Sequence, residues 1–62
     1  MTERLLTYAE VLERTGIRSR STIFEKVQRG DFPAPLKLSR GYIRFRESEI
    51  IAWIDALPRQ YY

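Results

Sequence analysis

Apolar residues recur along this chain at two different periods, and the change of period marks its elements. Tyr8, Val11, Leu12 and Thr15 follow the spacing i, i+3, i+4, i+7, which predicts a first helix of about two turns with a single buried stripe. Thr7 and Glu10 have the spacing of a capping box at its start, and Gly16 supplies a left-handed stop. Ile17 plugs the gap to a second helix, whose buried line is Ile23 and Val27. Ser19 is the favoured cap, leaving about three turns that end at Gly30, while Thr22 with Glu25 is a competing capping box that would shorten the helix. The segment Asp31 to Pro35 cannot continue it, because Pro33 and Pro35 remove donors and fix φ.

Beyond the prolines the period becomes two. Leu36 and Leu38 alternate with Lys37, the stretch from Ser39 to Gly41 turns the chain, and Ile43 and Phe45 alternate with Tyr42, Arg44 and Arg46. That pattern predicts a β-hairpin with one apolar and one basic face. Glu47, Ser48 and Glu49 then place acid in the first turn of a last helix, and Ile50, Trp53, Ile54 and Leu57 carry its apolar face until Pro58 stops it. Tyr8, Phe32, Phe45 and Trp53 are expected in the core, since so short a chain needs every large apolar group it has. Residues 1–4 and 59–62 are expected to be loose. The resulting fold class is mostly α with a small β-hairpin, a helix-turn-helix followed by a hairpin of wing-like character.

Sixty-two residues predict one domain with a thin core. The absence of cysteine and histidine removes disulfides, thiolate or imidazole metal sites, serine–histidine triads and cysteine nucleophiles together. Neither an enzyme nor a cofactor or small-molecule ligand is expected. No apolar run approaches the roughly 20 residues that span a bilayer, and the start Met1-Thr-Glu-Arg4 lacks the layout of a secretory signal. A cytoplasmic, nucleoid-associated protein is therefore expected.

Charge changes the picture further. Arg18, Arg20, Lys26 and Arg29 face only Glu25 within the second helix, and Lys37, Arg40, Arg44 and Arg46 face no acid within the hairpin, so these two stretches carry +7. The whole chain carries only +3, which leaves −4 for the rest. Positive charge placed in this way points to a polyanionic partner, double-stranded DNA. At about 100° per residue, Ser21, Thr22, Glu25, Gln28 and Arg29 face away from the buried line, where they can read base edges. Arg18, Ser19, Arg20 and Lys26 are better placed for phosphates. In the hairpin, Arg40 beside Gly41 can enter a minor groove, while Lys37, Ser39, Tyr42 and Arg44 fasten the strand to the backbone.

Plainer roles compete. A basic hairpin face can be ordinary solvated surface, and Arg46, next to Glu47 and Glu49, is better read as structural than as DNA-facing. Glu25 either accepts from a cytosine amino group or merely caps the helix or pairs with Arg29 at i+4.

The run from Leu5 to Gly16, then Ser19 to Phe24, Arg29 to Leu38, Ile43 to Ile50 and Ala52-Trp53, resembles the AlpA family of phage and prophage regulators. These are small winged helix-turn-helix proteins related to the DNA-binding domains of MerR-type activators and to phage excisionases. The resemblance covers nearly the whole chain, although Ile17-Arg18-Ser19 has one residue more than the family's usual turn. It implies three helices plus a two-stranded wing, with Ser21, Thr22 and Glu25 on the recognition helix and Arg40 in the wing. It also implies a DNA-binding transcriptional regulator, typically an activator of integrase or excision genes, or alternatively an excisionase-like factor that bends DNA. Useful specificity from so small a protein calls for repeated sites, a dimer or cooperative assembly, and output calls for DNA bending or contact with RNA polymerase or a recombinase. A protein-interaction adaptor, docking through the Tyr61-Tyr62 tail or the basic hairpin, is the rival class, and nonspecific nucleoid coating a third.

Overall fold

The structure is a computed structural model that describes residues 3–61. In chain order it comprises β1 (Leu5–Leu6), α1 (Tyr8–Thr15), α2 (Arg20–Gln28), β2 (Leu36–Ser39), β3 (Tyr42–Arg46) and α3 (Glu47–Asp55). This is a winged helix-turn-helix in which α1 and α2 form the helical pair and β2–β3 the wing.

Local chemistry sets the helix ends. Thr7 caps α1: its hydroxyl accepts from the Glu10 amide at 3.2 Å, and the Glu10 carboxylate accepts from the Thr7 amide at 3.0 Å. Gly16 closes the helix at φ 76°, a conformation that glycine adopts without a Cβ penalty. Ser19 is the cap of α2, accepting from the Thr22 amide at 3.3 Å, so the competing Thr22 cap does not form and the helix keeps its first turn. The last helix ends at Asp55 rather than running to Pro58, with Ala56 as its C-cap.

Each of five elements gives one side chain to the core: Leu6, Val11, Ile23, Phe45 and Ile50, with Phe32 added from the proline segment. Tyr8 and Phe32 pack edge-on against Phe45 at centroid distances of 5.3 and 5.9 Å, and Trp53 meets Phe32 at 4.6 Å. Ile17 packs against this cluster, as its place between the helices predicts. The outer wing strand, β2, contributes nothing to the buried set.

Three features depart from the sequence pattern. First, Leu5 and Leu6 form a strand that pairs antiparallel with β3, so the sheet is three-stranded in the order β1-β3-β2 rather than a bare hairpin. Residues 3–4, expected to be loose, are bonded: the Arg4 carbonyl accepts from the Glu47 amide at 3.0 Å, and the Glu3 carboxylate from the Arg46 guanidinium at 2.8 Å. Met1, Thr2 and Tyr62 lie outside the described residues. Second, the wing does not have one apolar and one basic face. Its register pairs Leu36 with Arg44 and Lys37 with Ile43, and an irregularity between Lys37 and Ser39 leaves Leu38 as the extra residue, 51% exposed. A bulge of this kind reverses the side on which subsequent residues project. Third, Ile54 and Leu57 lie on the surface: Ile54 is exposed although it lies within α3, and Leu57 falls beyond the helix end.

Candidate nucleic-acid interface

The sequence singled out two basic stretches, and the fold brings them to a common cleft. The start of α2 faces the wing across the start of α1, enclosing about 310 Å³ lined by Thr7, Tyr8, Arg20, Gly41, Ile43 and Arg44. Arg20 reaches it from the first turn of α2, with its guanidinium carbon 5.2 Å from the centre of the Tyr8 ring. Arg44 reaches it from β3, stacked at 4.3 Å on Tyr42, two residues back on the same strand, and donating to the Ile43 carbonyl at 2.7 Å. No acidic residue lines the cleft. Both guanidiniums lie over aromatic rings and neither has an ion-pair partner among the described residues, so donors remain available to an anion.

Ion pairing divides the basic residues the same way. Among the described residues three ion pairs form, Arg4–Glu10 at 2.6 Å, Arg14–Glu47 at 2.6 Å and Arg46–Glu3 at 2.8 Å. Arg18, Arg20, Lys26, Arg29, Lys37, Arg40 and Arg44 take part in none and lie on α2, its approach or the wing; Arg59, beyond α3, is also unpaired. The structural reading of Arg46 is therefore supported, although its partner is Glu3 rather than the neighbouring Glu47 or Glu49.

Along α2 the residues that the helical period places outward, Ser21, Thr22, Glu25 and Gln28, are all exposed, as are Arg20, Phe24 and the C-cap Arg29. Lys26 is half-buried, its stem packed while its charge is unpaired. The Ser19 and Thr22 hydroxyls lie 2.9 Å apart and are both exposed, so Ser19 belongs first to the cap. Glu25 has no ion pair with Arg29. In the wing, Arg40 and Gly41 form the tip between Ser39 and Tyr42, with Gly41 at φ 71°. Lys37 is exposed but falls on the Ile43 side of the hairpin, whereas Tyr42 and Arg44 share the other side, so the wing residues do not act as one surface.

Two aromatic residues escaped the sequence reading. Tyr8 was assigned to the core alone, yet it is half-buried and carries Arg20 on its ring. Phe24 is 54% exposed on the flank of α2, between Arg20 and Gln28 at i−4 and i+4. Its signal was the doublet Ile23-Phe24: the two residues are about 100° apart, so one line cannot bury both.

The Glu10 carboxyl is held below its usual range by the Thr7 backbone donor, and the Glu3 carboxyl by the Ser48 hydroxyl, with Arg46 contributing. Glu10 bonds Thr7, which lines the cleft, and Glu3 bonds Arg46 and Ser48 at the start of α3; neither carboxylate is itself among the cleft-lining residues.

Comparisons with known proteins agree with this architecture. Residues 4–58 match the family described as Prophage CP4-57 regulatory protein (AlpA). The chain is 38% identical over 52 residues to the "Uncharacterized protein ORF88" of Enterobacteria phage P4, a match that covers 84% of this chain and 58% of that protein. This chain thus spans less than two thirds of its relative's length. No solved structure matches it significantly. The extent of the family match and the winged helix-turn-helix that carries it establish that the chain belongs to the AlpA family of phage regulatory proteins.

Proposed function

We propose that this chain is a sequence-specific double-stranded DNA-binding domain that regulates phage or prophage genes, with α2 in a major groove and the wing over the adjacent backbone. The observation that carries this reading is the distribution of ion pairs among the described residues: Arg4, Arg14 and Arg46 are paired with glutamates, while the cations of α2, its approach and the wing from Lys37 to Arg44 are unpaired. In this arrangement Arg20 and Arg44 hold one phosphate between them, and Arg18 and Lys26 hold others. Gln28 and Arg29 read adenine and guanine, Glu25 a cytosine amino group, and Ser21 and Thr22 adapt to either base. Phe24 offers an apolar contact to a thymine methyl. Arg40, at the wing tip, enters the neighbouring minor groove, and Ser39 and Tyr42 contact its rim.

The targets are integrase or excision genes, and the output is transcriptional activation; a transcription assay and an excision assay on the same prophage separate this from an excisionase-like role. The decisive experiment is to titrate the protein against a genomic fragment library at two salt concentrations and sequence the retained DNA. A short repeated motif whose affinity falls steeply with salt is the expected outcome. Retention without enrichment of any motif defeats the sequence-specific reading, and no retention at low salt defeats DNA binding altogether.

A further inference from the structure

At the opposite end of α2, where its last turn passes into the proline segment, a second groove opens against α3. It encloses about 440 Å³, with Asp31, Phe32, Pro33, Glu49, Ala52 and Trp53 among its lining residues. Its aromatic part is rigid: Phe32 and Trp53 meet edge to face at 4.6 Å, and the indole Nε1–H donates to the Asp31 carbonyl at 2.6 Å. Two of the lining residues, Asp31 and Glu49, are acidic and exposed, and neither forms an ion pair among the described residues. No basic residue lines the groove. The C-terminal end of α2 lies at its edge, since Gly30 also lines it, and a helix C-terminus adds negative potential.

These features exclude one partner and define another. Uncompensated carboxylates repel a nucleic acid, so the groove is not an extension of the arginine cleft. The Trp53 indole, backed by the buried Phe32 ring and set beside free carboxylates, suits a planar cation on an apolar stem, which stacks on the indole and hydrogen-bonds the acids. Among side chains arginine has that shape, a delocalised guanidinium with a fork of donors. We propose that the groove between the end of α2 and α3 is a docking site for an arginine-bearing segment of a second protein. The site goes beyond the DNA-binding reading and does not depend on it. It is built at the end of α2 away from Arg20 and the wing, just past Gln28 and Arg29.

The chain has a single tryptophan, so its indole signal reports on this groove alone. The probe is the blocked peptide acetyl-Arg-Ala-Arg-Ala-amide, titrated into isotope-labelled protein, with the citrulline peptide as its uncharged isostere. Saturable shifts of the Trp53 indole and of the Gly30, Glu49 and Ala52 amides are expected with the arginine peptide, with at least tenfold weaker binding to the citrulline form. Glu49→Gln and, separately, Asp31→Asn should each weaken the arginine peptide several-fold while leaving the amide spectrum of the core unchanged. Equal response to both peptides, unsaturable shifts, or undiminished binding by both variants would overturn the proposal. DNA affinity of Glu49→Gln, measured in parallel, should equal that of the unsubstituted protein, which keeps this test separate from the test of DNA binding.

Discussion

Replacing Arg20 or Arg44 by alanine removes one guanidinium from the cleft between α2 and the wing. Each change should weaken binding to all sequences alike and lower the slope of log affinity against log salt by about 1, as measured by fluorescence anisotropy over a salt series. Arg46→Ala should leave that slope unchanged, since its charge is already spent on Glu3. Gln28→Ala should instead relax specificity at a single base pair, at a cost of about 1–3 kcal/mol there and little elsewhere. These contrasts were only half legible in the sequence. Helical period alone placed Ser21, Thr22, Glu25 and Gln28 outward, because exposure on a helix follows from rotation about its axis. Nothing in the spacing brought Arg44 to Arg20 across Tyr8, because that proximity depends on how the wing folds back over the first turn of α1.

Among the elements, those written by local chemistry were the easiest to read. The capping box of α1, its Gly16 stop and the Ser19 cap of α2 involve residues within a few positions of one another. Thr7→Ala should therefore cost about 1 kcal/mol of stability in chemical denaturation, by loss of the cap. Gly16→Ala should cost about 1 kcal/mol through backbone strain alone, since a Cβ there meets no atom within 4 Å. By contrast, β1 is only two residues long, too short to show a period, and its partners Arg46 and Phe45 lie far along the chain. The start of α3 shows the same limit. Its N-cap residue, Arg46, makes no side-chain cap, and the Glu3 carboxylate accepts from the Ser48 amide at 3.3 Å instead, so the helix is capped from 45 residues away. The bulge was equally hidden. Alternation counts every residue of β2, but Leu38 has no partner in β3 and lies exposed. Leu38→Gln should accordingly change stability by no more than about 0.5 kcal/mol, the figure for a surface position, where a core leucine replaced by alanine would cost about 2–5 kcal/mol.

For the molecule as a whole, the hydrogen bonds of Glu3 to Ser48 and of Glu10 to Thr7, with their arginine partners contributing, tie stability to pH. The Glu3 and Glu10 carboxyls are depressed in the folded state below the ordinary glutamate range, so at acid pH the unfolded chain binds more protons than the folded one. Their contribution is fully present above about pH 4.5 and is lost as pH falls through the depressed folded values. Thermal melts followed by circular dichroism should show the midpoint dropping across that window, and Glu3→Gln with Glu10→Gln should flatten the drop. At neutral pH the double variant should already melt lower than the parent.

The bulge in the wing has a further consequence. With β3 in the middle of the sheet, β2 is an edge strand, and its unpaired side is open to the edge of another molecule. The irregularity between Lys37 and Ser39 breaks the even row of donors and acceptors that a foreign strand would need, and Lys37 puts a charge where it would dock. A kink that looks like a flaw in the ladder thus acts as a guard against aggregation, keeping the wing's outer edge unattractive to other strands.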